Sequence, residues 1–134
     1  METTAPVVAQ AQVVTERFVA ALAARDRAAA TRLYAPEARF EAHVPGWDPT
    51  VVGPVVIGEL LQDFFIGRDD FRVTRSEILT EGASAALNFD LTWRTPDDDA
   101  SCLCFQSHTF AIEAGKIRLH RMYCAGVRVF PDPE

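Results

Sequence analysis

The sequence predicts an α+β domain in which N-terminal helices pack on a curved, mainly antiparallel sheet. Three observations carry that expectation: helical spacing of apolar residues early in the chain, alternating or continuous apolar strand-like segments from Phe71 onward, and turn residues at the breaks between those segments. The length of 134 residues fits one domain, spanning 1–134, because a chain of about 100–150 residues has the usual single-core size.

The elements follow in order. From Val7 to Ala24 the apolar residues Val7, Val14, Phe18, Ala21 and Leu22 recur at helical intervals, which predicts a helix with one buried stripe. Asp26 is placed to cap a shorter second helix carrying Ala29, Leu33 and Tyr34, and Pro36 is expected to stop it. Ala38 to Val44 alternates Phe40, Ala42 and Val44 against Arg39, Glu41 and His43, as a strand does, and leads into a loop with Pro45, Gly46, Trp47 and Pro49. Gly53 and Pro54 introduce a third helix bearing Ile57, Leu60, Leu61, Phe64 and Phe65, and Gly67 is expected to end it in a left-handed conformation. Four strands complete the domain: Phe71 to Thr80, Ala83 to Arg94, Ser101 to Ile112, and Ile117 to about Val129. The Asp97-Asp98-Asp99 run reads as a solvated hairpin tip.

Composition excludes several classes. Hydrophobic residues make up 49% and charged residues 24%, and no apolar run approaches the roughly 18 residues of a membrane span, so no membrane partner is expected. Met1 to Val14 lacks the pattern of a secretory signal, which makes a cytoplasmic location the expectation. The net charge is −6 and the basic residues are scattered singly, so no nucleic-acid partner is expected. Cys102, Cys104 and Cys124 have no zinc-type spacing and read as free thiols in a reducing compartment.

The register of the last two strands decides which side chains meet. A type I turn with a bulge at Gly115 sets His108 opposite His120, Gln106 opposite Met122 and Cys104 opposite Cys124 on one face, leaving Leu119, Arg121 and Tyr123 on the other. A slip of one residue pairs His108 with Arg121 and Gln106 with Tyr123, and matches Ile112 to Ile117 better. Turn chemistry favours the first register and hydrophobic matching the second.

The order of elements, the Phe18 to Asp26 helix end followed by Leu33-Tyr34-Ala35-Pro36-Glu37-Ala38, the Gly53 to Phe65 approach to helix three, and the Gly115-Lys116-Ile117 turn together resemble the nuclear transport factor 2-like superfamily over nearly the whole chain. Among its enzyme branches, the sequence resembles the SnoaL-like polyketide cyclases and the ketosteroid isomerases. The resemblance implies a cone-shaped α+β barrel enclosing a pocket for a small molecule. It also implies, for the isomerases, a tyrosine, a carboxylate base and a protonated acid in the pocket. Phe18, Ala42 or His43, and His108 stand in those places here, so that chemistry is not expected by that set. The acid that the cyclases carry near the end of the last strand has no counterpart between Met122 and Ala125.

What remains is the chain's three histidines. His108, His120 and His43 are the candidate catalytic residues, since imidazoles in an apolar pocket can pass a proton, with Asp90 or Glu41 as candidate orienting acids. Phe18, Trp47, Phe64, Trp93, Cys104, Gln106, Met122 and Cys124 are the candidate ligand-binding residues. Three imidazoles also raise the question of a metal, but they lack motif spacing, and neither metal nor cofactor is assigned. The expected ligand is a small apolar or aromatic carbonyl compound, and the expected activity a cofactor-free cyclase, isomerase or hydratase. The alternative is a non-catalytic binding or dimerisation module. A homodimer is expected through an apolar outer face carrying Leu103, Phe105, Leu119 and Tyr123.

Overall fold

The computed structural model describes residues 7–133. It contains helices α1 (Val7–Ala23), α2 (Arg27–Thr31) and α3 (Pro54–Leu61), and strands β1 (Tyr34–His43), β2 (Thr50–Val52), β3 (Asp69–Glu81), β4 (Ser84–Arg94), β5 (Ala100–Glu113) and β6 (Lys116–Pro131). The strands form one open mixed sheet in the order β2-β1-β6-β5-β4-β3, antiparallel throughout except where β1 runs parallel to β6. This is the cone-shaped α+β arrangement that the sequence implies, with the helices on the concave face of the sheet.

Alternation along β4 and β5 explains how the concave face is filled. Ala85, Leu87, Phe89, Leu91 and Trp93 point inward from β4, and Cys102, Cys104, Gln106, His108, Phe110 and Ile112 from β5. Helix α1 lies across β3, β4 and β5 and closes that face with Val14, Phe18, Ala21 and Leu22 of the expected stripe, joined by Ala11; the Val7 side chain lies outside the described residues. Full burial of an aromatic or branched side chain contributes about 1.5–3 kcal/mol, so Phe18, Phe40, Phe65 and Phe89, all at the centre, carry a large share of the stability.

Four local expectations are corrected. Helix α2, capped by Asp26 accepting from the Ala29 amide at 3.0 Å, ends at Thr31, and Tyr34 opens β1 instead of lying on the helix. Parallel pairing of Tyr34 with Ile117, together with the Ile117 amide donating to the Leu33 carbonyl, outweighs the helical spacing of Leu33 and Tyr34, and Pro36 lies inside the strand at an irregularity. Thr50–Val52, to which the sequence pattern assigns no element, forms the edge strand β2 against Arg39–Glu41. Helix α3 passes into a π-helical turn, Gln62–Ile66, and Gly67 has φ −82°, not a left-handed value; a side chain there would meet the Gln62 carbonyl at 2.8 Å, which is why glycine stands at this position.

The fourth correction concerns the β5–β6 hairpin. Ala114 and Gly115 both have positive φ, 51° and 74°, which makes a two-residue type I′ turn between the paired Glu113 and Lys116. Ile112 therefore pairs with Ile117, as in the slipped register. Arg118 then bulges out, so that Phe110 pairs with His120, His108 with Met122 and Gln106 with Cys124. Neither expected register holds across the histidines, since each partner lies one or two residues farther along β6. A two-residue shift preserves the faces, however, and His108, His120, Gln106, Met122, Cys104 and Cys124 still share the concave side.

Candidate active site

The concave face holds a continuous chain of polar side chains inside an aromatic cage. The Tyr34 hydroxyl lies 2.7 Å from His120 Nδ1, His120 Nε2 lies 2.7 Å from His108 Nδ1, and His108 Nε2 lies 2.9 Å from Gln106 Oε1. Both imidazoles are fully buried, with Phe40 and Phe18 edge-on to His120 at centroid distances of 4.2 and 5.3 Å and Phe89 at 4.6 Å from His108. Burial pushes His108 down to about 3 and His120 well below the usual imidazole range, and the neighbouring His108 lowers His120 further. Burial likewise holds the Tyr34 phenol well above its ordinary value, so all three groups are neutral near pH 7.

Neutrality fixes the direction of the chain. Gln106 Oε1 only accepts, so His108 Nε2 carries the proton and its bare Nδ1 accepts from His120 Nε2–H. His120 Nδ1 then accepts from the Tyr34 hydroxyl. Each member donates once toward Gln106, and no buried side-chain polar atom among the described residues lacks a partner. Gln106 passes the series on by donating weakly from Nε2 to Cys104 Sγ at 3.6 Å.

At the Gln106 end the cone opens into a cavity of about 250 Å³. Phe64, Trp93, Cys104, Gln106, Met122 and Cys124, six of the eight expected ligand-binding residues, line it. Val44, Pro45, Gly126 and Val127 complete its mouth, together with Arg68, whose guanidinium lies 4.4 Å over the Trp93 ring. Arg68 is anchored by its Nε–H donating to the Phe64 carbonyl at 2.7 Å. Among the described residues no carboxylate lines the cavity. A wider depression of about 490 Å³ along Leu79, Ser84, Thr109 and Arg121 lies on the outer side of the sheet, away from the buried polar chain.

The remaining candidates lie elsewhere. Phe18 is core, packed against His108, Phe110 and His120. Trp47 is half exposed and meets Phe64 edge-on at 5.3 Å, beside the cavity. His43 falls on the outer face, stacked on Tyr123 at 5.0 Å with Asp48 3.6 Å from its Nδ1, because its neighbours Phe40 and Ala42 take the inward positions. The three histidines do not converge, and among the described residues no group of three or more His, Cys, Asp or Glu side chains is arranged to hold a metal. Neither expected orienting acid reaches a buried imidazole: Glu41 pairs with Arg121 at 2.6 Å, and Asp90 stands opposite Phe105, an outward-facing residue. Tyr34 and Gln106 hold the pair instead.

Sequence reasoning missed Tyr34 and Arg68. Tyr34 carried a signal, as one of only two tyrosines in a chain whose first strand begins there. Arg68 carried none, since its position depends on the π-helical turn before it.

A family model described as SnoaL-like domain matches residues 15–120. Among solved structures, a ketosteroid isomerase candidate from Kribbella flavida superposes with a TM-score of 0.74 at 17% identity, covering 96% of this chain and 87% of its own. An LEH-like epoxide hydrolase of M. tuberculosis gives 0.71 at 20% identity over 89% of this chain and 85% of its own. A polyketide cyclase candidate from Xanthomonas campestris gives 0.73 at 13% identity over 87% and 91%. At these identities the likeness establishes the fold. No curated protein sequence matches.

Proposed function

This chain belongs to the SnoaL-like domain family, and from that membership we propose that its cavity binds a small, largely apolar carbonyl compound whose oxygen sits between Arg68 and Gln106. The observation that carries this reading is the convergence of two donors on an otherwise apolar cavity, one cationic and one an amide backed by the buried Tyr34–His120–His108 chain. With its carbonyl held by His108 and one N–H directed at Cys104 Sγ, the Gln106 amide keeps a second N–H to offer a ligand oxygen, and Arg68 adds charge where that oxygen would become negative. A volume of about 250 Å³ lies below the roughly 300–1,000 Å³ of sites for drug-sized ligands, which favours a one- or two-ring compound of polyketide-like or terpenoid-like character.

Turnover is the second reading: a cofactor-free isomerase, cyclase or hydratase in which His108 and His120 carry the proton. What favours it is the cost of the polar chain. Four linked polar side chains in an apolar core are not needed to build a sheet, and such networks are concentrated at functional sites. Against it stands the lack of a carboxylate among the described residues of the cavity wall, which neither neutral imidazole touches except through Gln106.

A panel of small planar ketones in D₂O separates the two readings, with Trp93 fluorescence reporting binding and loss of α-proton NMR signal reporting enolisation. Under the binding reading His108→Ala changes affinity alone; under the catalytic reading it abolishes exchange and spares binding. Absence of any saturable fluorescence change across the panel would remove both. A cytoplasmic homodimer completes the proposal, supported by half-exposed Phe105 and Tyr123 and by exposed Val127, Val129 and Phe130 on the last two strands. Light scattering at the monomer mass would contradict the dimer.

A further inference from the structure

Neither reading of the cavity uses its sulfur. Cys104 of β5 and Cys124 of β6 bring their Sγ atoms to 2.9 Å at the cavity wall. They meet diagonally because a second irregularity in the hairpin pairs Gln106 with Cys124 but Cys104 with Val127. The two thiols also differ. Cys104 is buried, at 1% exposure, and accepts from Gln106 Nε2; Cys124 is half-buried and accepts from the Gly126 amide at 3.4 Å. Both are free thiols in this structure, and both face the open cavity.

We propose that Cys104 and Cys124 form a redox-active dithiol that a peroxide-class oxidant converts to an intramolecular disulfide in the wall of the cavity. Cys124, the more accessible sulfur, attacks one peroxide oxygen: the S–O bond forms, the O–O bond breaks, and one water leaves with the thiol proton. The Cys104 sulfur then attacks Sγ of the resulting sulfenic acid; the S–S bond forms, the S–O bond breaks, and a second water leaves. Two thiols and one hydrogen peroxide give one disulfide and two waters. Contact with Cys124 already orients the resolving sulfur. Burial, with Cys124 beside it, raises the Cys104 thiol to about 12, so its thiolate is scarce near neutrality and resolution accelerates with rising pH.

Oxidation removes the Cys104 S–H and ties β5 to β6 beside Gln106, so the bridged form presents a different polar floor to any ligand. The mechanism needs no ligand and stands apart from the carbonyl-binding reading.

The test uses the full chain, treated with one equivalent of hydrogen peroxide and then alkylated in denaturant. The expected result is a chain about 2 Da lighter before alkylation, in which Cys102 alone then alkylates, reversed by dithiothreitol. The bridge should persist in Cys102→Ser and vanish in Cys104→Ser. Three alkylatable thiols after treatment, oxygen adducts without a bridge, or a bridge that survives in Cys104→Ser would each overturn the proposal. The wild-type alkylation pattern decides it even if a variant fails to fold.

Discussion

Replacing Tyr34 with phenylalanine tests whether the buried chain is as directional as its hydrogen bonds imply. The substitution removes one hydroxyl, leaves the ring stacked near His120, and opens no void larger than that oxygen. Its effect falls on His120 Nδ1, which then has no donor, because the ring's other neighbours are aromatic faces and His108. A buried acceptor left without a partner costs about 1–3 kcal/mol. For a chain of this length each kcal/mol moves the melting temperature by roughly 3–5 °C, so Tyr34→Phe should melt about 3–15 °C lower. Urea unfolding should show a lower midpoint with an unchanged slope. His120→Leu removes the acceptor as well, so adding Tyr34→Phe in that background should cost less than about 0.5 kcal/mol. A single variant within about 0.5 kcal/mol of the parent, or strictly additive losses in the double variant, would refute a directed Tyr34–His120 bond.

Other consequences are checked more simply. Ala114 sits at φ 51°, where glycine is at ease, so Ala114→Gly should raise stability by about 0.5–1 kcal/mol in urea; a loss would contradict the type I′ turn. Both buried histidines have folded-state values below the ordinary value near 6.5, and His108 lies at about 3. Above that ordinary value they are neutral folded or unfolded and their contribution is complete; as pH falls below it the unfolded chain takes up protons that the native state does not, and stability drops until His108 itself titrates. The slope from the two together reaches about 2.7 kcal/mol per pH unit, and replacing both by apolar residues should flatten it between roughly pH 6 and 4. Arg68→Met should weaken a carbonyl or anionic ligand by roughly 10–100-fold, as measured by fluorescence titration, because it deletes a charged donor; unchanged affinity would remove Arg68 from the site.

How far the molecule can be read from its residues depended on which signal each element carried. Period-two alternation assigns faces independently of register, so Gln106, His108 and Phe110 could be grouped with His120, Met122 and Cys124 although the pairing between them was displaced. The register depended on two backbone events that sequence did not disclose: an alanine accepting a left-handed conformation, and a bulge at Arg118 that restores the faces after a one-residue slip. Tyr34 was obscured because its helical spacing pointed one way and its long-range pairing with β6 pulled it the other, and tertiary pairing prevailed. His43 went to the outer face by the same alternation that buried Phe40 and Ala42. The cavity's cation was invisible because Arg68 follows a π-helical turn, a feature without a sequence pattern of its own.

The most direct measurement is long-range ¹⁵N–¹H correlation of the histidine rings from pH 8 to 5, with and without a ketone that quenches Trp93. The account predicts that His108 and His120 stay neutral throughout, each with its proton on Nε2 and a bare Nδ1, and that the ketone shifts the His108 and Gln106 side-chain signals. Ordinary titration of either ring near 6.5, or a proton on Nδ1 of either, would contradict the directed chain on which the site is built.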